Sequence, residues 1–317
     1  MRICIRTDAS VQIGTGHLRR CLELARELTS RGDDVTFLTR NLGLDCQPLI
    51  ADAGFRAISL PAPEDAFTAE ADVPPHAHWA GVSWEDDASQ TIAALARLSP
   101  AVVIIDHYAF DYRWHAQVKK SIGCRIVALD DLGDRALDVD LIVDHNYSGD
   151  HWFKHRISRP FRPAILGGPT FALLSTAYRN RPEFRVREVP ESVGIFMGGS
   201  DSSNHSEFAA GAVRQALGPD VFIEIVTTSA NPHVDRLRSI RDERVGLSVD
   251  LPDLAAFFQR HALQVGAGGG ATWERSCIGA PTIAIAFADN HRPVLSPLDV
   301  LGVLAYSAED VEGTQHG

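Results

Sequence analysis

Gly14-Thr15-Gly16-His17-Leu18-Arg19-Arg20 follows a short Ile-rich run, Arg2 to Thr7, and opens a stretch in which Leu18, Cys21, Leu22, Ala25 and Leu28 recur at three- and four-residue spacing. The run has the pattern of a buried strand, and the recurrence that of an amphipathic helix. A glycine-punctuated turn from strand into helix lets backbone N–H groups approach a ligand closely and aims a helix N-terminus at negative charge. This turn also sets an imidazole at its mouth. Histidine is the side chain that titrates nearest neutral pH, so His17 reads as a general base or as a helix-start residue that packs locally. Spacing alone does not decide between them. The run is not the GxGxxG of dinucleotide folds, because His17 stands directly after the second glycine and Arg20 takes the place of the third. That argues against an NAD enzyme.

Working outward, strands and helices alternate almost throughout. Strands are expected at 34–39, 56–60, 101–106, 125–130 and 141–145, with helices at 17–30 and 86–98. Several of these strands are nearly continuous apolar runs, as suits a parallel sheet covered on both faces. Residues 61–84, with Pro61, Pro63, Pro74 and Pro75, read as a long surface loop. After a Pro- and Arg-rich passage a second set begins. It has strands at 193–197, 221–227, 246–250, 262–266 and 282–287, and helices at 204–217, 232–240, 252–260 and 271–278. The expectation is two α/β domains, 1–165 and 166–317, each binding ligands outside the carboxyl ends of its strands. Two such domains facing each other would enclose a deep cleft.

Composition bounds the function. A chain of 317 residues is long enough for two cores, and a formal charge of −11 lacks the basic stripe that nucleic acid requires. The five cysteines are scattered, with no CxxC pair, as expected of reduced thiols in a cytoplasmic protein. Met1 runs directly into the first strand, leaving no room for a signal peptide, and no apolar run approaches a membrane span. No membrane-facing apolar or basic patch is legible in the first half.

Polar residues cluster where strands end. Asp106-His107-Tyr108, Asp130-Asp131 and Asp144-His145-Asn146 do so in the first half. Asp130 and Asp144 read as caps of the following turns, and Asp106 and Tyr108 as site residues. In the second half Met197-Gly198-Gly199-Ser200-Asp201 is a strand-to-helix turn that could face phosphate or sugar. Gly268, Gly269 and Gly270, followed by Thr272 and Glu274, form a stronger signal. Adjacent glycines leave no side chain to block a diphosphate, Thr272 can donate to a phosphate oxygen, and Glu274 can accept from both ribose hydroxyls. The plainer reading of Glu274 is a first-turn acid that complements the helix dipole. Ala288-Asp289-Asn290-His291 ends the last clear strand. Metal signals are weaker: Asp138-Val139-Asp140 precedes a strand instead of ending one, and His151 and His155 lack a third ligand, as in a solvated surface pair.

Taken together, GTGHLRR, IIDHY, LDD, FMGGSD, TTSANPH and VGAGGGATWERSCIGAPTIAIAFADN resemble, in order, the UDP-2,4-diacetamido-2,4,6-trideoxy-β-L-altropyranose hydrolases of pseudaminic acid biosynthesis, relatives of MurG-type glycosyltransferases. The resemblance runs from about residue 1 to residue 292. It implies a GT-B fold, two Rossmann-like parallel-sheet domains facing across a cleft. It also implies a metal-independent, inverting hydrolysis by a cytoplasmic monomer without a cofactor, on the route to flagellin glycosylation. Water attacks the anomeric carbon, UDP leaves, and free sugar is released. By position, His17 matches the proton acceptor and Tyr108 the tyrosine beside the sugar. Gly14, Gly16, Asp106, Gly199 and Ser200 fall among the substrate-binding positions. Gly268, Gly269, Gly270, Thr272 and Glu274 match the UDP-binding element, with Asn290 near the sugar or diphosphate. Three features depart from the pattern. Ser175 stands where a cationic ligand contact is expected, His291 replaces a glutamine, and Glu309–Gly317 is a polar stretch where GT-B chains normally carry a returning helix. Among alternatives outside this family, a GT-B transferase using a UDP-amino sugar and a non-catalytic UDP-sugar binding module share most of these motifs.

Overall fold

The computed structural model describes residues 1–10, 12–64, 72–179, 184–287 and 291–308. The chain divides into two compact units, Met1–Leu173 and Leu174–Gly317. The first contains β1 (Arg2–Thr7), α1 (Gly16–Ser30), β2 (Asp34–Arg40), α2 (Gln47–Asp52), β3 (Arg56–Leu60) and α3 (Trp84–Leu98). It continues with β4 (Val102–Asp106), α4 (Tyr112–Ile122), β5 (Arg125–Leu129), β6 (Leu141–Asp144), α5 (His151–Lys154) and β7 (Ala164–Gly167). The sheet order is β3-β2-β1-β4-β5-β6-β7, every pairing parallel. Successive residues send their side chains to opposite faces. Cys4, Val103 and Ile105 join the core with Trp114 and Leu95, whereas Ile3, Ile5 and Ile104 join that with Leu18 and Phe37. Strands covered on both faces explain why they are apolar at nearly every position.

Local signals set the helix ends. The Ser83 hydroxyl accepts from the Asp86 N–H at 3.0 Å and Glu85, Asp86 and Asp87 fill the first turn, which stabilises the start of α3. Asp111 caps α4 at the Arg113 N–H, 2.9 Å away, and Gly123 ends it in the left-handed region at φ +72°.

The second unit contains β8 (Ser192–Phe196), α6 (His205–Leu217), β9 (Phe222–Thr227), α7 (Val234–Arg238), β10 (Val245–Val249) and α8 (Ala255–Arg260). β11 (Leu263–Ala267), α9 (Ala271–Ile278), β12 (Thr282–Ala286), α10 (Arg292–Val300) and β13 (Ala305–Ala308) follow. Its order is β10-β9-β8-β11-β12-β13, again all parallel. In both sheets the strand order reverses beside the first strand, between β1 and β4 and between β8 and β11. Doubly wound sheets place ligands at that switch point, beyond the carboxyl ends.

The expected boundary at 165/166 would cut β7, which instead pairs along its length with β6, so the division falls after Leu173. β7 and β13, four residues each, and α2, α4, α5 and α10 were not among the expected elements. The segment expected as a loop holds a short 3-10 helix, Ala77–Ala80, which places Trp79.

Candidate active site

The switch point of the first unit gathers the sequence-expected residues. The turn after β1 folds back on itself, with Gly14 N–H donating to the Ser10 carbonyl at 2.8 Å. Gly14 sits at φ +73°, a conformation that favours glycine there. Gly16 then starts α1 and sets His17 in its first turn. Asp106 ends the neighbouring β4 and is fully buried. The Nδ1 of His17 lies 2.5 Å from Asp106 Oδ1. A carboxylate can only accept, so this contact places the ring proton on Nδ1 and leaves the Nε2 lone pair available. Nε2 makes no hydrogen bond among the described residues.

One helical turn on, Arg20 completes the arrangement. Its Nε donates to Asp106 Oδ2 and its Nη2 to Oδ1, both at 2.5 Å, a bidentate fork, and the Cys21 thiol donates to Oδ2 at 3.4 Å. Burial by itself would raise the Asp106 carboxyl, but Arg20 and His17 outweigh it and hold the group far below the usual carboxylate range. Asp106 was expected to touch substrate. It is enclosed, its oxygens taken by His17, Arg20 and Cys21.

Tyr108 is brought against His17, ring centroids 4.7 Å apart and edge-on. Its hydroxyl, however, donates to Asp131 Oδ1. Burial and then the Asp131 charge raise the phenol well above its ordinary value, so it stays protonated and committed. Tyr108 therefore forms a wall beside the His17 ring, with its hydroxyl proton committed to Asp131. Asp131 also accepts from Asn146 Nδ2 at 3.1 Å and lies 3.8 Å from Arg20 and 3.4 Å from His145. Trp79 and His76 extend the wall, with Trp79 centred 5.7 Å from Tyr108 and 6.3 Å from His17. Arg20, Asp131, His145 and Trp79 are given no site role by the sequence. The legible signal was that β4, β5 and β6 all end in acidic or histidine pairs.

A second buried network braces the same loops. Arg6 donates to Asp8 at 2.5 Å and to Asp87 at 2.7 Å, Arg40 to Asp87 at 2.8 Å, and Trp114 Nε1 to Asp87 at 2.9 Å. The Arg40 N–H donates to Asp8 at 2.7 Å and His107 Nε2 lies 3.2 Å from it, so the ends of β1, β2 and β4 are tied together. Buried pairs of this kind are costly to break by removing one partner.

Buried neutral histidines add an acid sensitivity. Burial pushes His115 down to about 3, helped by Arg135, and His145 down to about 4, helped by Arg20. Unfolded, both titrate near 6.5. Between pH 6.5 and about 4 the unfolded chain binds more protons, so stability rises with pH across that window and is lost on acidification. The melting temperature should therefore fall from pH 7 to pH 5, and less steeply in His115→Gln. Parallel pH–melting curves for the two proteins would refute this.

In the second unit the turn 268–270 stands at the switch point and leads into α9. A Cβ on Gly268 would meet Leu295 and His291, whereas on Gly269 or Gly270 it would meet nothing within 4 Å. Packing thus requires the first glycine but not the other two. Arg275 is buried beneath this turn; its Nη2 donates to the Ala267 carbonyl at 2.8 Å, and its Nε and Nη1 have no hydrogen-bond partner among the described residues. Burial lowers it to about 10, so it stays charged at neutral pH. A Cβ on Gly266 would lie 2.3 Å from Arg275 Nη1, so that glycine makes room for the guanidinium. Thr272, expected to meet phosphate, is buried, and its hydroxyl sits between Arg275 Nη2 (3.3 Å) and the Ala267 carbonyl (3.5 Å). Glu274 is half-buried and its charge raises the buried Tyr178 phenol further than burial alone does. Asn290 lies outside the described residues.

Of the other turn, Gly198 takes φ +97°, and the Gly199 carbonyl accepts from the Thr228 hydroxyl at 2.8 Å. Asp201 accepts the His205 and Ser206 N–H groups at 2.8 and 2.9 Å, filling the N-terminus of α6. Ser200 is half-buried, and no contact described assigns it a role. Ser175 caps the 3-10 turn Thr176–Tyr178 through the Ala177 N–H at 3.2 Å. Asp138 and Asp140 are taken by Lys119 (2.8 Å) and the Ile126 N–H (2.8 Å). His151 and His155 are not a solvated pair. Both bind Asp144, at 3.1 and 3.0 Å.

These two switch-point sheets are those of the GT-B class, as solved structures bear out. Acinetobacter baumannii MurG aligns with a TM-score of 0.63 at 12% identity, covering 97% of this chain and 86% of that one. Phytolacca americana UGT2, solved with UDP-2-fluoroglucose and pterostilbene, aligns with a TM-score of 0.67 at 14% identity, covering 98% and 86%. Among curated proteins, the UDP-2,4-diacetamido-2,4,6-trideoxy-β-L-altropyranose hydrolase of Campylobacter jejuni is 25% identical over 239 residues, 75% of this chain and 73% of that protein. The sequence motifs and this relative carry the same family name. No family model matches the chain.

Proposed function

We propose that this chain hydrolyses a UDP-linked 2,4-diacetamido-2,4,6-trideoxyhexose of the altrose type, without a metal and with inversion at the anomeric carbon, in nonulosonic (pseudaminic) acid biosynthesis. The observation that carries this is the His17 imidazole, held through Nδ1 by buried Asp106 at a switch point, with Nε2 making no hydrogen bond among the described residues. Nε2 takes a proton from water as the water oxygen bonds to the anomeric carbon. The bond from that carbon to the diphosphate oxygen breaks, and UDP departs with its electron pair. The imidazolium is stabilised by Asp106 and later returns its proton to solvent. General-base action of this kind supplies on the order of 10²–10⁴ in rate. Gly269, Gly270, the N-terminus of α9 and the Arg275 charge below it are suited to a diphosphate.

The test is incubation with UDP-diacetamido sugars and no acceptor, following UDP and the first-formed anomer by NMR. Free sugar of inverted configuration is expected. UDP release only when a sugar or lipid acceptor is added would mean a transferase, and UDP binding without turnover a binding module. Two glycine variants probe the UDP assignment. Gly269→Ala should leave stability within about 0.5 kcal/mol and weaken UDP binding, since nothing in the protein opposes its Cβ. Gly266→Ala should cost about 1–3 kcal/mol by pressing on Arg275 and the Phe196 carbonyl. Unchanged UDP affinity in Gly269→Ala, measured by calorimetry, would remove the turn from the site.

A further inference from the structure

An ordinary surface helix turns its apolar side chains to the core and its polar ones to water. The stretch from His151 to Arg162 does the reverse, and presents an apolar and basic patch in the first unit that was not legible in the sequence. His155 is 2% exposed and Ser158 1%, whereas Trp152 is 54%, Phe153 59% and Ile157 44% exposed. The inward face is firmly held. His151 Nδ1, His155 Nε2 and Lys154 Nζ all reach Asp144 Oδ2, at 3.1, 3.0 and 2.8 Å, and the Ser158 hydroxyl accepts from the Leu137 N–H at 3.0 Å. The outward display of aromatic side chains is thus imposed by the fold.

Arg156, Arg159 and Arg162 stand among these apolar residues, all exposed. Among the described residues no acidic side chain pairs with them. The Arg156 guanidinium lies over the Phe153 ring, 4.5 Å from its centroid, and Arg159 donates to the Trp152 carbonyl at 3.3 Å. On a chain with a net charge of −11 this is a basic, aromatic island. A second copy is a poor occupant, because two-fold pairing of one face would set arginine against arginine. An anionic lipid surface suits both components: tryptophan and phenylalanine settle at the headgroup boundary, and guanidinium groups meet phosphates. No helix of the described residues is long and apolar enough to cross a membrane, so attachment of this kind would be interfacial.

We propose that the Trp152–Arg162 face docks the protein peripherally on an anionic phospholipid bilayer. It stands apart from the proposed hydrolysis. The test is flotation of the full chain with vesicles of phosphatidylcholine alone or mixed with phosphatidylglycerol. Recovery is expected only with the mixed vesicles, and it should fall as salt screens the arginines. Trp152→Ser with Phe153→Ser, and separately Arg156→Gln with Arg159→Gln and Arg162→Gln, should each lower vesicle affinity about tenfold or more at unchanged melting temperature. Equal recovery on both vesicle types, or affinity unchanged in both variants, would overturn the proposal. So would self-association in sedimentation velocity that these variants abolish while vesicle recovery is absent; that result would assign the face to a second copy.

Discussion

His17→Asn should lower the rate of UDP release from the diacetamido sugar by about 10²–10⁴ while leaving UDP affinity unchanged. Asparagine is the informative replacement because its amide N–H can still donate toward Asp106 Oδ1. It keeps the buried carboxylate partnered but offers no basic nitrogen to water. A larger apolar residue would confuse the result by leaving Asp106 one donor short, which costs stability as well as activity. The measurements are initial rates of UDP release, calorimetric UDP binding and a melting curve on the same preparation. Near-normal turnover would sink the assignment of His17 as base. Lost turnover with lost UDP binding would point instead to damage beyond the base.

Much of this is legible in the amino-acid sequence. Strands buried on both faces announce themselves as apolar runs, so β1, β4, β5, β8 and β12 were expected close to where they lie. β7 and β13 were not, because four residues are too few to show a period and each pairs only at a sheet edge. The helix α4 was hidden by its polar and aromatic content, although Asp111 and Gly123 mark its two ends. At the site, His17, Asp106 and Tyr108 stood out because each follows a strand.

What the chain order could not reveal was their pairing. His17 and Asp106 are 89 positions apart and meet only because β1 and β4 are neighbours across the switch point. The further pairings of β4 with β5 and of β5 with β6 bring Asp131 and His145 to Arg20. The orientation of Thr272 was hidden for a related reason: a hydroxyl near a helix N-terminus suggests phosphate, and the phase of α9 turns it toward Arg275 and the core.

Asp106→Asn should act on both catalysis and stability, and the two losses can be measured separately. An amide offers one acceptor oxygen and one donor group where the carboxylate accepts from His17, Arg20 and Cys21. If the oxygen stays with Arg20, the amide N–H faces His17 Nδ1, forcing the proton to Nε2 and removing the base. If the oxygen stays with His17, Arg20 loses half of its fork. The rate should fall by about 10²–10⁴, comparable to loss of the base itself. Stability at neutral pH should fall by about 3–5 kcal/mol, because the largely buried Arg20 keeps only Asp131, 3.8 Å away, as an acidic neighbour. Asp106 is held below its unfolded value, near 3.9, so its stabilising contribution is complete above that pH and is lost as pH falls further. The stability gap between native protein and variant should therefore be widest at pH 7 and narrow below about pH 4. Denaturant titrations at pH 7 and pH 3 measure it, and rates taken well below the variant's melting temperature isolate the catalytic loss. A variant that turns over normally would show that Asp106 does not orient the imidazole, and a gap that stays constant between the two pH values would show that it does not carry the charge that Arg20 requires.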